Sequence, residues 1–217
     1  MMLKKVAIML AVFGMICMVY GGWQLWSTKQ SQKAALAEAN KDIQENKAVN
    51  KGGSASTSFH FEKGQAIGIL QIPGIDKELP IVEGTDEEAL KQGVGHYTGS
   101  VYPGQKNQIL LSGHRDTVFT GLDKLKHGDK LTVKMQHGSF TYAIVDTKIV
   151  DENDQTIIRS TAPNEVLTLS TCYPFHYIGN APKRYIIYAV PVKASGTGTI
   201  LNSFSSQRLK GNIMTRL

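Results

Sequence analysis

The feature that most constrains this chain is a run of 21 residues, Val6 to Trp26, that carries no charge. As a helix rising 1.5 Å per residue it spans about 30 Å, the thickness of the hydrocarbon core of a bilayer. Tyr20, Trp23 and Trp26 gather at its far end, where aromatic rings favour the lipid–water interface. Lys4 and Lys5 precede it, which predicts a cytoplasmic N-terminus and an extracytoplasmic remainder. A cleaved signal peptide is the alternative. Ala7, Ala11 and Gly14 fall too early for its cleavage site, and no clear small-x-small site follows the run. Residues 1–26 are therefore expected to be a cytoplasmic start and a single-pass membrane anchor.

Residues 27–58 read as a polar stalk and linker. Ala34 to Ile43 has helix-forming composition, and Lys51 to Ser58 is rich in Gly, Ser and Thr, as flexible linkers are. From Phe59 the pattern changes to short apolar runs between turn signals. Ala66–Ile72 is strand-like and stops at Pro73-Gly74; Leu79–Glu83 is a second run. Thr85 is the expected cap of a short helix, with Glu88 three residues on and Gly93 at its end. Ile109–Ser112 is a further strand. Leu131, Val133 and Met135 alternate with polar residues, and His137-Gly138 turns into Phe140–Val150, predicting a hairpin. Glu165–Thr171 and Lys183–Val192 complete the set. Many short strands and little helix imply an all-β barrel or sandwich over residues 59–193. Residues 194–217 are Gly/Ser/Thr-rich at first and read as a mobile tail of unknown role.

The net charge of +6 includes Lys4 and Lys5 beside the membrane; the rest holds 22 basic residues against 18 acidic ones. That excess is too mild and scattered for nucleic acid, so no nucleic-acid partner is expected. The two cysteines, Cys17 and Cys172, are not expected to pair, because Cys17 lies in the apolar run. A lone thiol outside the cell is prone to oxidation, which points Cys172 towards chemistry, with a buried inert cysteine as the alternative.

Cys172 ends the strand-like Val166-Leu167-Thr168-Leu169-Ser170-Thr171, and Pro174 stops the ladder just beyond. Arg184, twelve residues on, opens the next strand, and His114 follows the apolar run Ile109–Ser112. Cationic neighbours raise the thiolate fraction of a thiol whose ordinary pKa is near 8.5. A thiolate attacks a carbonyl, a guanidinium stabilises the oxyanion that forms, and an imidazole protonates the leaving amine. Cys172, Arg184 and His114 make a complete set for acyl transfer. The chain has six histidines, however, and an arginine at a strand end is more often structural. His176 is close to Cys172 in sequence; His96 follows Gly-Val-Gly and reads as structural; His127 and His137 adjoin turn glycines and read as solvated.

Leu169-Ser170-Thr171-Cys172 matches the Leu-x-Thr-Cys signature of sortases, with Arg184 at the family's spacing and Ser112-Gly113-His114-Arg115 matching its histidine segment. Thr171-Cys172-Tyr173-Pro174-Phe175, Asn180 to Tyr185 and Gly113 to Phe119 most resemble class D sortases of spore-forming Gram-positive bacteria. The likeness runs from about Gln65 to Val192; the tail after Lys193 departs from it. The resemblance implies a closed eight-stranded β-barrel with a few short helices. It implies a cysteine transpeptidase that needs no cofactor and cleaves a C-terminal Leu-Pro-x-Thr sorting signal of secreted proteins. Cys172 is then the nucleophile, His114 the acid and base, and Arg184 the oxyanion donor. Leu169, Ser170 and Thr171 are candidates for substrate contact, and an amine of a peptidoglycan precursor is the acceptor. No Asp-Pro-containing lid precedes the barrel, which favours wall anchoring over pilus building. Calcium is possible at Asp151, Glu152, Asn153 and Asp154, but a turn of solvated acids is favoured and no metal is expected. A cysteine hydrolase with the same acyl-enzyme, an L,D-transpeptidase and a non-catalytic binding barrel are the rival readings.

Overall fold

The computed structural model describes residues 2–49, 61–175 and 179–192. Residues 51–58 of the linker, Phe59 and His60 at the expected start of the barrel, His176 and the tail 194–217 lie outside the described residues. The first element is one helix, α1 (Met2–Val49). Its first half is long and apolar enough to cross a membrane, and its large side chains from Val6 to Trp26 are exposed. The helix continues unbroken to Val49, into the expected stalk. There Ala35, Ala39 and Ile43, spaced four apart on one face, are buried against Ala66, Ile69, Val82 and Ala89. Small residues at that spacing let the helix lie close to the sheet.

Eight strands follow: β1 (Ala66–Ile72), β2 (Lys77–Glu83), β3 (Val94–His96), β4 (Gln108–Ser112), β5 (Lys130–Met135), β6 (Gly138–Asp151), β7 (Val166–Tyr173) and β8 (Lys183–Pro191). They close a barrel in the order β1-β2-β3-β4-β7-β8-β6-β5, with β5 returning to β1. The pairs β2–β3 and β4–β7 are parallel, and the others are antiparallel. Closure leaves no free sheet edge. Inward residues such as Leu70, Leu111, Leu131, Tyr142, Leu167 and Ile187 fill the interior. Fully burying one such side chain contributes roughly 1.5–3 kcal/mol.

The apolar run of β1 is buried on both faces for a local reason. A bulge between Ala66 and Gly68 inserts one residue, so Ile67 and Leu70 face the interior while Ala66 and Ile69 face α1. The short helix α2 (Glu87–Gln92) is capped by Asp86, not by the expected Thr85. The Asp86 carboxylate accepts from the amides of Glu88 and Ala89, which a threonine one residue earlier does not reach. Gly93 ends the helix as expected.

Candidate active site

The site grows out of the parallel pairing of β4 with β7. Ser112 lies opposite Ser170, and the pairing continues past the end of β4, where the amide of Gly113 donates to Ser170 O (3.1 Å). Thr171 Oγ1 donates to Gly113 O (2.7 Å) one residue further on. In a parallel ladder equal steps keep residues abreast. His114 stands two residues beyond Ser112, as Cys172 stands two beyond Ser170. On the other side of β7, Cys172 lies directly opposite Arg184 in the antiparallel pair with β8. Directly opposed residues project to the same face. Cys172 and Arg184 therefore face each other across β7 and β8, and His114 follows Gly113 in the segment that leaves β4 beside the Cys172 end of β7.

Alternation decides which face this is. Leu167 and Leu169 point into the core, and so do Ile109 and Leu111 on β4. Ser112, Ser170 and Cys172, on the other parity, point outwards. Of the three candidate substrate contacts, only Ser170 has its side chain on this outer face. Leu169 is fully buried in the core, and the hydroxyl of Thr171 is spent on the Gly113 carbonyl. These two serve the barrel and the His114 loop.

The chain after β4 turns tightly. A Cβ at Gly113 would lie 2.7 Å from side-chain carbons of Val118 and Phe119, both buried, so only glycine fits before His114. The His114 carbonyl accepts from the amides of Phe119 (3.0 Å) and Thr117 (3.4 Å), and the imidazole is exposed. From the far side, Lys77 Nζ donates to the carbonyls of Thr117 (3.0 Å) and Val118 (2.8 Å). Burial lowers the pKa of Lys77. Cys172 is half-buried. The Arg184 guanidinium, 30% exposed, donates through Nη1 to the carbonyls of Ala181 and Lys183 (both 3.1 Å). Its Nη2 lies 3.7 Å from Glu152 Oε2.

A wall stands beside these groups. Gln108 Nε2 donates to Ile157 O (2.7 Å), and its Oε1 accepts from the Arg159 amide (2.9 Å). Asn107 Oδ1 accepts from the Thr161 amide (2.7 Å). These bonds hold the segment between β6 and β7 against the outside of β4. The acids at its start are dispersed. Glu152 faces Arg184, while Asp154 Oδ1 accepts from the amide and hydroxyl of Thr156 (2.8 and 2.6 Å). No group of three or more His, Cys, Asp or Glu gathers as a metal site among the described residues.

A family model described as Sortase domain matches residues 70–192, the barrel from β1 to β8. The chain belongs to the sortase family. Sortase D of Bacillus subtilis (strain 168) is 48% identical over 193 residues, covering 86% of this chain and 98% of that protein. A Clostridium perfringens Sortase D5 transpeptidase shares the fold (TM-score 0.63, 22% identity, 75% of this chain and 99% of that one). Sortase C1 from Streptococcus agalactiae does so too (TM-score 0.58, 27% identity, 73% and 90%). This sortase is class D-like and is a cysteine transpeptidase.

Sequence reasoning passed over two contributors to the site. Arg115 is 7% exposed, donating to Pro174 O and Gly179 O (both 3.0 Å). Lys77 holds the His114 loop. Lys77 opens β2 but lies before the apolar run Leu79–Glu83 that marks the strand in the sequence, and Arg115 is marked only by its adjacency to His114. His96, read as structural, is buried. His137, read as solvated, is half-buried with Nε2 3.1 Å from Pro103 O, and burial lowers its pKa.

Proposed function

We propose that this sortase cleaves a C-terminal Leu-Pro-x-Thr-type sorting signal of secreted proteins and joins the threonine to an amine of a peptidoglycan precursor. The Cys172 thiolate attacks the threonine carbonyl carbon, and Arg184 donates N–H groups to the resulting oxyanion. The C–N bond to the next residue breaks as the His114 imidazolium gives its proton to the departing amine. A thioester remains on Cys172. An incoming amine attacks it, His114 takes that amine's proton, and the C–S bond breaks to restore the thiolate. The thioester conserves the reactivity of the acyl group, so no nucleotide is consumed. The observation that supports this reading is the ladder register, with Cys172 opposite Arg184 and the segment that carries His114 leaving β4 just past the Ser112–Ser170 pair. The exposed apolar half of α1 anchors the enzyme in the cell membrane, N-terminus inside and barrel outside, where wall precursors and secreted clients meet.

The test is intact-mass spectrometry of the full chain in detergent micelles with Leu-Pro-x-Thr peptides, with and without hydroxylamine or a diamino acid. A threonyl adduct on Cys172 that amine converts to an amide is the expected result. Release as free acid alone, with amine present, would make the protein a hydrolase. No adduct, while Cys172 still alkylates, would overturn the assignment.

A further inference from the structure

His114 is exposed at the start of a loop, and Cys172 and Arg184 lie on two strands joined by another loop. A histidine on a loop needs something to hold that loop in register with two groups already fixed on paired strands. One side chain touches both loops. Arg115 follows His114 directly, yet its guanidinium is buried while the histidine ring is exposed. Nη1 donates to Pro174 O, two residues after Cys172 (3.0 Å). Nη2 donates to Gly179 O, five residues before Arg184 (3.0 Å). Nε lies 3.4 Å from the carboxylate of Asp116, which is 69% exposed. Both carbonyls belong to the connection between β7 and β8.

We propose that Arg115 is a positioning residue that locks the His114 loop to the β7–β8 loop, holding imidazole, thiol and guanidinium in reacting register. The planar guanidinium suits this task. Its two outer nitrogens diverge in a fixed fork and reach separate carbonyls at once, whereas a lysine ammonium is a single point on a flexible stem. Burial makes the arrangement selective. A buried guanidinium left without acceptors is costly, so the β7–β8 loop is drawn to the place where Pro174 and Gly179 supply them. Gly179, at φ +106°, adopts a left-handed backbone that turns its carbonyl into the clamp at no side-chain cost. Misplacing a general acid by about 1 Å costs on the order of 10²-fold in rate.

The proposal rests on the assignment of Cys172, His114 and Arg184 above, and its test separates the two. The full chain and its Arg115→Lys and Arg115→Ala variants are compared in detergent micelles. The measurements are kcat and KM for peptide transfer to hydroxylamine, the pH profile of Cys172 alkylation by iodoacetamide, and thermal unfolding. Val133→Ala, in the interior wall on β5 away from the site, supplies matched destabilisation. The expected result is a loss in kcat of about 10²-fold for Arg115→Lys with KM little changed, together with a displaced alkylation profile. Val133→Ala is expected to unfold earlier yet keep the unsubstituted profile. An Arg115→Lys protein with unsubstituted kcat and alkylation profile, or one indistinguishable from Val133→Ala, would overturn the clamp. Absence of a Cys172 acyl adduct in the unsubstituted chain would overturn the underlying assignment and the clamp with it.

Discussion

Two histidines stand at or just past the ends of the neighbouring strands β3 and β4, and they have opposite fates. His96 ends β3 with its side chain 2% exposed. Its Nδ1 donates to Glu83 Oε2 (2.8 Å), and Nε2 faces Val101 O (3.2 Å) and Ser100 Oγ (3.1 Å). Tyr102 stacks on the ring and donates to the same carboxylate oxygen (3.1 Å). Ser100, His96 and Glu83 follow the order of a hydrolytic triad. The hydroxyl proton of Ser100 is committed to Tyr97 O (2.8 Å), however, and the histidine and the acid are sealed from solvent. His114 lies just beyond β4, exposed, and leaves that strand beside the end of β7 where Cys172 faces Arg184. The comparison teaches that a saturated imidazole holds structure, and that only an imidazole left exposed is free to take the proton-moving role proposed for His114.

The largest effect separates the two sites. His114→Ala is expected to lower the rate of acyl transfer by about 10²–10⁴-fold. Its unfolding midpoint should hardly move, because the ring is exposed; equal losses in both measurements would break the distinction. His96→Ala should do the reverse. Removing one partner of a buried pair leaves Glu83 uncompensated and costs about 3–5 kcal/mol of stability. Transfer per folded molecule should stay near the unsubstituted value, which denaturant titration and active-site counting together would check.

A smaller effect sharpens the same contrast through pH. Burial pushes the Glu83 carboxyl up, but hydrogen bonds from His96 and Tyr102 and the attraction of His96 outweigh it, holding its pKa below the ordinary 4.5. A carboxyl depressed on folding gives stability that is full above its unfolded pKa and is lost as pH falls through its folded pKa. Stability should therefore decline below about pH 4.5, and Glu83→Gln should flatten that decline. An acid limb of the same steepness in Glu83→Gln would remove this network from the explanation. The smallest effect concerns Glu152, 3.7 Å from Arg184 and 46% exposed. An exposed pair of this kind contributes about 0–1 kcal/mol. Glu152→Gln should leave stability unchanged and alter transfer at most a few-fold, the direction reporting whether the acid restrains the guanidinium.

Much of the barrel was legible because its strands are amphipathic or fully apolar. Leu131, Val133 and Met135 alternate, and their hairpin closes as expected, though through Gln136-His137, one residue before the expected His137-Gly138, because Gly138 already pairs with Met135. β3 was not legible. It is three residues long with glycine at its centre, and it exists because β2 and β4 supply its partners. The cap of α2 was misplaced by one residue because Thr85 and Asp86 are both good caps and only the turn geometry chooses between them.

The amino-acid sequence by itself determined the apolar N-terminal run long enough to cross a membrane, the alternation that sorts inside from outside, and the residue types at three strand ends. Those follow from local hydrophobicity and period, which neighbouring residues carry. Tertiary structure alone decided which residues stand abreast. His114 and Cys172 are 58 positions apart, and only the parallel β4–β7 ladder brings their strand ends level. It also decided that Leu169 and Thr171 turn inward, that the stalk helix lies on the barrel, and that Arg115 is buried between two loops. Register and burial are set by pairing and packing across the whole barrel, and no single segment contains them.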